Sequence, residues 1–201
     1  MLRKALATVG LGTLLTLDLA AQSTATPVFL APYRAFRRVE YGASVSDPGS
    51  GVALEGFYRF GDKKYDIGFR GGFADANPGR TQFLAGVDFR TRVIDHSADF
   101  PLDGAVTAGI GGRFGNGESQ AYIPFGLSLG RRVELEDSNV EFTPYFHPVL
   151  GPTFGDGNYD SGLLFGLGLG VDVSFNKKFD IRVSGALGDY NGIGISFAIL
   201  R

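Results

Sequence analysis

The chain has 201 residues, including 31 glycines, no cysteine and no tryptophan, and its formal net charge is −2 at pH 7. This length suits a single domain, and the charge gives no electrostatic reason to expect a nucleic-acid partner. The lack of cysteine excludes disulfides and a lipoprotein signal, which needs a cysteine to carry the lipid.

The N-terminal residues are typical of an exported protein. Arg3 and Lys4 precede an apolar stretch from Ala5 to Leu17, and Ala21 and Ala25 offer small residues at which a leader is cleaved. The apolar stretch is shorter than the roughly 20 residues that a membrane-spanning helix needs. We therefore predict a signal peptide over residues 1–25, cleaved after Ala21 or after Ala25.

Residues 26–38 follow the predicted leader and carry two prolines, Pro27 and Pro32. Proline cannot donate to a central β-ladder, so this stretch does not read as a regular strand. We predict that it is a periplasmic segment leading into a β-domain that covers residues 39–201.

The stretch from Leu163 to Phe175, LLFGLGLGVDVSF, alternates large apolar residues with small or polar ones. Alternation of this kind gives a strand with one apolar and one polar face. It recurs between turn sequences along the rest of the chain, as in the strands of a transmembrane β-barrel. The ten predicted strands are 39–46, 52–60, 65–73, 83–93, 106–114, 123–135, 140–146, 163–175, 179–183 and 193–199.

These strands predict an all-β fold, a closed antiparallel up-and-down barrel with about ten strands in meander order. Closure is required because an unpaired backbone amide in hydrocarbon costs several kcal/mol. We expect Pro144, Pro148 and Pro152 to disturb the seventh strand. If that strand or the first is not paired, the barrel has eight strands.

The charged residues within the strands fall on the polar, lumen-facing side. In a barrel of this size the interior is filled by side chains or leaves a narrow passage. One interpretation is a structural plug of paired charges, and the alternative is a narrow, charge-lined pore for small solutes. The predicted lumen charges are Glu55, Arg59, Asp66, Arg70, Asp88, Arg90, Arg92, Arg113, Arg132, Glu134, Glu141, Asp172, Asp180 and Arg182.

Catalytic residues are not identified. The two histidines are His96, which we assign to a solvated loop, and His147, which we expect to point inward and bond to a lumen carboxylate such as Glu141. No serine lies close to His147 in sequence to form a nucleophile–base pair. We predict that the protein is not an enzyme.

One loop carries a weak cation-binding pattern. Asp156, Asn158 and Asp160 place oxygen ligands at alternate positions, as a calcium loop does. The glycine and glutamate of the helix-loop-helix calcium motif are missing, so ordinary turn chemistry is the favoured explanation of these residues and a loop-bound cation is the alternative. Apart from this possible calcium ion, no cofactor is predicted.

By its architecture the chain resembles small outer-membrane β-barrels, the superfamily of the outer membrane protein A transmembrane domain and the opacity proteins. The resemblance implies an outer-membrane location and meander topology, but no particular activity. The implied partners are outer-membrane lipid, lipopolysaccharide and the barrel-insertion machinery. The expected role is structural and envelope-stabilising. A narrow porin-like channel and a soluble lipocalin-like binding barrel are the alternatives.

Overall fold

The computed structural model describes residues 23–47, 51–62, 64–75, 80–115, 117–156, 161–189 and 191–201. Most of the predicted signal peptide, residues 1–22, lies outside the described residues. Within the described ranges no helix is long and apolar enough to cross a membrane.

The described residues form an all-β structure. Its strands are β1 Val39–Asp47, β2 Val52–Asp62, β3 Tyr65–Asp75, β4 Thr81–Ile94, β5 Asp103–Gly115, β6 Glu118–Tyr122, β7 Phe125–Gly130, β8 Val133–Glu134, β9 Val140–Gly155, β10 Gly162–Phe175, β11 Phe179–Gly188 and β12 Gly192–Leu200.

These strands close into one antiparallel barrel. β12 pairs with β1 over eight residue pairs, from Glu40 opposite Leu200 to Asp47 opposite Ile193. β6 and β7 both lie between β5 and β9, β8 follows them along β9, and the three form a single, interrupted barrel strand. Ten strands therefore surround the axis in meander order, as the sequence predicts, and the eight-stranded alternative is wrong.

β9 continues beyond Phe146 despite its prolines. The nitrogens of all three prolines, which have no proton to donate, face the same neighbouring strand. Pro144, Pro148 and Pro152 are four residues apart, and the N–H and C=O of alternate residues point to the same side. The carbonyls of Pro144 and Pro152 accept bonds from Arg131 and Ile123 of the interrupted strand. The β9–β10 ladder on the other side is continuous.

The interrupted strand also differs from its prediction. The sequence predicts a strand from Ile123, whereas pairing begins at Glu118 and breaks at Ile123 and Pro124. The carbonyl of Pro124 accepts a hydrogen bond from the amide of Gly109 in β5. The nitrogen of Pro124 has no proton, so it cannot donate a hydrogen bond to β5. The polar sequence of β6, Glu-Ser-Gln-Ala-Tyr, does not show the apolar alternation on which the prediction depends.

Side chains alternate between the outer face and the lumen along each strand. Large apolar residues such as Phe69, Ile110 and Ile195 are exposed on the outside. Charged residues such as Glu55 and Asp66 are buried inside. The outward apolar face and inward polar face therefore follow the predicted alternation.

Residues 23–36, here called the lumen segment, lie inside the barrel. Phe29 of this segment packs in a buried apolar cluster with Tyr145, Val149 and Leu164 of the barrel. Near the barrel end Phe36 packs on β12, in a second cluster with Ala198 and Leu200. The chain then enters β1, where the amides of residues 37–39 donate to the carbonyl of Arg201.

This placement differs from the predicted periplasmic segment over residues 26–38. The prolines do keep the stretch out of the sheet, as expected. However, its apolar residues Val28, Phe29 and Leu30 are buried in the lumen instead of lying outside the barrel. Inward glycines provide the room, since a Cβ on Gly168 would overlap the ring of Phe29 and one on Gly86 would overlap Ser23.

A substitution at the closing pair tests the barrel seam. A Cβ on Gly42 of β1 would overlap the backbone carbonyl of Phe197 in β12. We expect Gly42→Ala to lower the free energy of unfolding by about 3 kcal/mol, the upper end of the usual cost of overpacking. Guanidinium unfolding of the detergent-folded protein measures this change.

Gly56→Ala in the adjacent strand β2 is the matched control. Its Cβ would lie 3.9 Å from the nearest heavy atom, the carbonyl oxygen of Gly42, which is an ordinary contact. We expect a change within about 0.5 kcal/mol. Equal destabilisation by the two alanines would contradict the β1–β12 closure.

Candidate functional site

The lumen contains a connected network of buried ion pairs whose centre is Arg59. The guanidinium of Arg59 lies 2.6 Å from Asp66 Oδ1, 3.2 Å from Asp88 Oδ2 and 3.5 Å from Glu40 Oε1. These side chains come from β1, β2, β3 and β4, so one arginine connects four consecutive strands. All four side chains are 5% exposed or less, and burial of that degree is tolerated only when charges are paired.

A second arginine continues the network across the closing seam. Arg182 of β11 donates from Nη1 and Nη2 to the two oxygens of Glu40, at 3.0 and 2.5 Å. This bidentate arrangement is the strongest geometry for an arginine–carboxylate pair. Arg182 Nη2 also donates to Asp180 at 2.8 Å, and its Nε lies 3.5 Å from Asp172. Glu40 therefore contacts both Arg59 and Arg182 and joins them in one network.

Arg90 connects the network to the lumen segment. Its Nε and Nη2 contact Asp66 Oδ2 at 3.0 and 2.9 Å. Its Nη1 donates to the backbone carbonyls of Ala31 and Tyr33, at 2.6 and 2.7 Å. One guanidinium thus pairs with a barrel carboxylate and holds the segment.

Other backbone carbonyls of the lumen segment also accept hydrogen bonds from barrel side chains. These carbonyls have no β-ladder, and buried carbonyls need partners. The donors are Arg113 to Ala25 at 2.8 Å, Ser184 to Pro27 at 2.8 Å, Tyr145 to Phe29 at 3.1 Å and Ser128 to Leu30 at 2.7 Å. The barrel therefore binds the segment mainly through the backbone carbonyls of the segment.

Hydroxyl groups of the segment bond in turn to barrel carboxylates. Ser23 donates to Asp88 and Thr26 donates to Glu55, both at 2.7 Å. The hydroxyl of Tyr33 donates to Asp103 near the barrel end. Each of these bonds satisfies a buried carboxylate, so the segment completes the lumen network.

The predicted lumen residues are mostly brought together. Those that are buried in the lumen are Glu55, Arg59, Asp66, Arg70, Asp88, Arg90, Arg113, Glu141, Asp172 and Asp180, and the side chain of Arg182 is 11% exposed. Glu134 is exposed near the barrel end and does not belong to this set. Arg92 pairs with Asp95, and its side chain is 40% exposed. Arg132 is partly exposed beside Glu141, at 3.5 Å.

Two important carboxylates are absent from the sequence prediction. Glu40 lies in predicted strand one at an inward position, alternating with Tyr41 and Val45, so its role could have been found from the alternation. Asp103 was assigned to a connecting stretch, whereas it begins β5 on the inward side. Extending the alternation back from Thr107 would have identified it.

The histidines have other partners than expected. His147 is buried and inward, as predicted, but its Nε2 bonds to Thr107 at 2.8 Å and not to Glu141. Glu141 instead lies 2.9 Å from Lys177. His96 is not simply solvated, since its Nδ1 lies 2.7 Å from Asp103.

The candidate calcium loop falls largely outside the described residues, which exclude Asn158 and Asp160. Asp156 is described, and its two carboxylate oxygens accept from the amide and hydroxyl of Ser119, at 2.5 and 3.0 Å. Within the described part of the chain, no group of three or more acidic, histidine or cysteine residues could hold a metal ion.

The lumen leaves little free volume around Phe29 and Leu30 of the segment. A cavity beside Phe29 and Arg70 has a volume of about 20 Å³, and a second beside Leu30 and His147 has about 10 Å³. About 10–15 Å³ is needed to hold one water molecule. Larger cavities lie at the barrel end that carries Arg201.

No family model matches the chain, and no curated protein matches it. Among solved structures, one described as "Bacterial polysaccharide outer membrane secretin" is similar over 75% of this chain, with 11% identity and a TM-score of 0.46. The aligned part covers 57% of that protein. A likeness of this extent does not identify a function.

Replacing the central arginine tests the network. We expect Arg59→Met to destabilise the folded barrel by about 3–5 kcal/mol, because it leaves buried carboxylates without their partner. The matched control is Arg92→Met, since Arg92 and Asp95 form a partly exposed pair with 40% and 62% of their side chains exposed. We expect the control to cost about 0.5 kcal/mol. Guanidinium unfolding compares the two variants, and equal effects would contradict a coupled lumen network.

Proposed function

We propose that this protein is an integral outer-membrane barrel that its own lumen segment seals, and that its role is structural and envelope-stabilising. The observation that carries the proposal is a closed barrel with an apolar outer surface and a filled, charged interior. Every one of the ten barrel strands contributes large exposed apolar side chains to that surface. Soluble monomers rarely expose an apolar patch of more than about 600 Å².

The alternative of a soluble, lipocalin-like barrel requires the opposite arrangement. Such a barrel would hold apolar residues around an internal ligand and present charges to water. Here Glu40, Arg59 and Asp66 are buried inside, while Phe73, Ile110 and Leu163 are more than half exposed outside. This distribution favours lipid as the outer solvent.

The lumen contacts favour a sealed barrel over a narrow porin-like channel. The segment occupies the lumen, and the cavities beside its residues Phe29 and Leu30 have volumes of only about 20 and 10 Å³, close to what one water molecule needs. In this proposal small solutes do not pass while residues 23–36 are in place. The proposal includes no catalytic role, and the buried His147 bonds only to Thr107 among the described side chains.

Export through a cleaved signal peptide belongs to the same proposal, with outer-membrane lipid, lipopolysaccharide and the insertion machinery as partners and no nucleic acid. We infer that cleavage follows Ala21. Ser23, Thr24 and Ala25 are buried in the lumen, and cleavage after Ala25 would remove their bonds to Asp88 and Arg113.

An outward charge distinguishes a lipid-facing barrel from a water-facing one. Ile110 lies in the middle of β5 and is 58% exposed. We expect Ile110→Arg to destabilise the protein in lipid vesicles by about 2–4 kcal/mol, the cost of arginine at the bilayer midplane. Leu135→Arg is the control, because Leu135 is exposed beyond the end of β8. We expect it to cost at most about 1 kcal/mol. No loss of stability in either variant would indicate a soluble barrel.

Planar-bilayer conductance tests the seal. We expect a refolded chain beginning at residue 22 to give no discrete conductance steps. A chain beginning at residue 32 lacks Phe29 and the carbonyls that bind Arg113, Ser128 and Tyr145, so we expect it to conduct in discrete steps. Heat-modifiable gel migration verifies that both chains are folded. Steps from the longer chain, or none from a folded shorter chain, would contradict the assignment of the segment as the seal.

A further inference from the structure

A cavity of about 310 Å³ lies at the barrel end where the lumen segment passes into β1. Six cationic side chains line it, namely Arg34, Arg37, Lys64, Arg90, Arg92 and Arg132. The aromatic residues Tyr33 and Phe36 form part of its wall. Its volume is at the lower end of the range for small-molecule sites, about 300–1,000 Å³. We call it the basic cavity.

The positive charge of the basic cavity is only partly compensated. Asp66 is the one carboxylate in its described lining, and it already pairs with both Arg59 and Arg90. Arg92 pairs with Asp95 and Arg132 with Glu141, and Glu141 is shared with Lys177. Low-dielectric walls focus the field of the remaining charges into the cavity.

Three of the six cations lack a carboxylate partner among the described residues. Arg34 donates weakly to the carbonyl of Tyr65, at 3.4 Å, and its guanidinium lies 5.4 Å from the centre of the Phe36 ring. The side chains of Arg37 and Lys64 have no hydrogen-bond or ion-pair partner in the described part of the chain. These charges are therefore not needed to satisfy the folded network.

The cations reach the basic cavity from separate parts of the chain. Arg34 and Arg37 come from the stretch before β1, Lys64 from the β2–β3 turn, and Arg92 from the end of β4. A carboxylate offers one charge and two oxygens in a plane, so a single carboxylate does not neutralise the three cations that lack a carboxylate partner among the described residues. A phosphate group carries nearly two charges and three acceptor oxygens in different directions, which suits several cations at once.

We propose that the basic cavity binds a phosphate-bearing anion. The oxygens of the anion contact Arg37 and Lys64, and Arg34 of the lumen segment contacts the same anion. This proposal does not depend on the sealing role of the lumen segment, because residues 32–34 and 36 of the segment line the cavity, whereas the sealing contacts tested above are made by Ala25, Phe29 and Leu30. The phosphate belongs either to a free anion or to a lipid headgroup, and the two sources are distinguished by separate titrations.

Isothermal titration of the detergent-folded protein with pyrophosphate tests the free anion. We expect saturable binding that weakens as salt is added, since exposed charges are screened. The double variant Arg37→Ala/Lys64→Ala should bind at least about tenfold more weakly, as expected for the loss of one or more charge-assisted contacts. Both residues are exposed, so the variant retains the folded barrel, which heat-modifiable migration verifies.

Lys177→Ala/Lys178→Ala is the matched control. These lysines lie at the same barrel end but line the neighbouring cavity with Glu134 and Glu141. The control removes the same net charge and should bind pyrophosphate within about twofold of the unchanged protein, because these lysines do not line the basic cavity. An equal loss in both double variants would show a general charge effect and overturn the proposal.

A second titration uses short-chain phosphatidic acid, whose headgroup is a phosphate monoester, against phosphatidylcholine of the same chain length. Binding of phosphatidic acid that Arg37→Ala/Lys64→Ala selectively weakens, without pyrophosphate binding, supports the proposal with a lipid headgroup as the source. Selective loss of pyrophosphate binding supports it with a free anion. Binding of neither probe, or tighter binding of citrate than of pyrophosphate, overturns it.

Discussion

The pairing of β12 with β1 is the constraint on which the rest of the molecule depends. Its eight residue pairs turn an open sheet into a tube by joining the first and the last described strands. Closure also fixes which side chains face inward, because the alternation of every strand is then set relative to one axis. Glu40, which pairs with Arg59 and Arg182, has its bidentate partner across this seam. The closing ladder and the lumen network therefore stabilise the same junction.

The lumen and the segment inside it are complementary in chemistry as well as in shape. Small inward residues such as Gly86 and Gly168 leave room that larger residues would fill. The segment brings carbonyls that need donors, and the barrel supplies arginine, serine and tyrosine side chains. It also brings hydroxyls that bond to Asp88 and Glu55. The interior is thus closer to a packed protein core than to a water-filled pore, with buried ion pairs beside the apolar cluster around Phe29.

The local residue pattern predicts the strands of the barrel wall. The position of the lumen segment depends instead on contacts between residues that are far apart in sequence. The alternation from Leu163 to Phe175 is a property of neighbouring residues, so the strand and its inward face follow from sequence. Glu40 was within reach of the same reasoning. The position of Phe29 was not, because it depends on a space beside Gly168, which lies far away in sequence. Likewise, the sequence around Pro144 and Pro148 predicts breaks in the strand, because it does not show that both proline nitrogens face the same neighbouring strand.

The prolines of β9 make the barrel wall uneven in strength. On the β10 side fourteen residue pairs run without a gap, whereas on the other side the pairing with β6, β7 and β8 is broken into four short stretches. On that side the ladder is interrupted because the nitrogens of Pro144, Pro148 and Pro152 have no proton to donate. The barrel wall is therefore continuous along one edge of β9 and interrupted along the other.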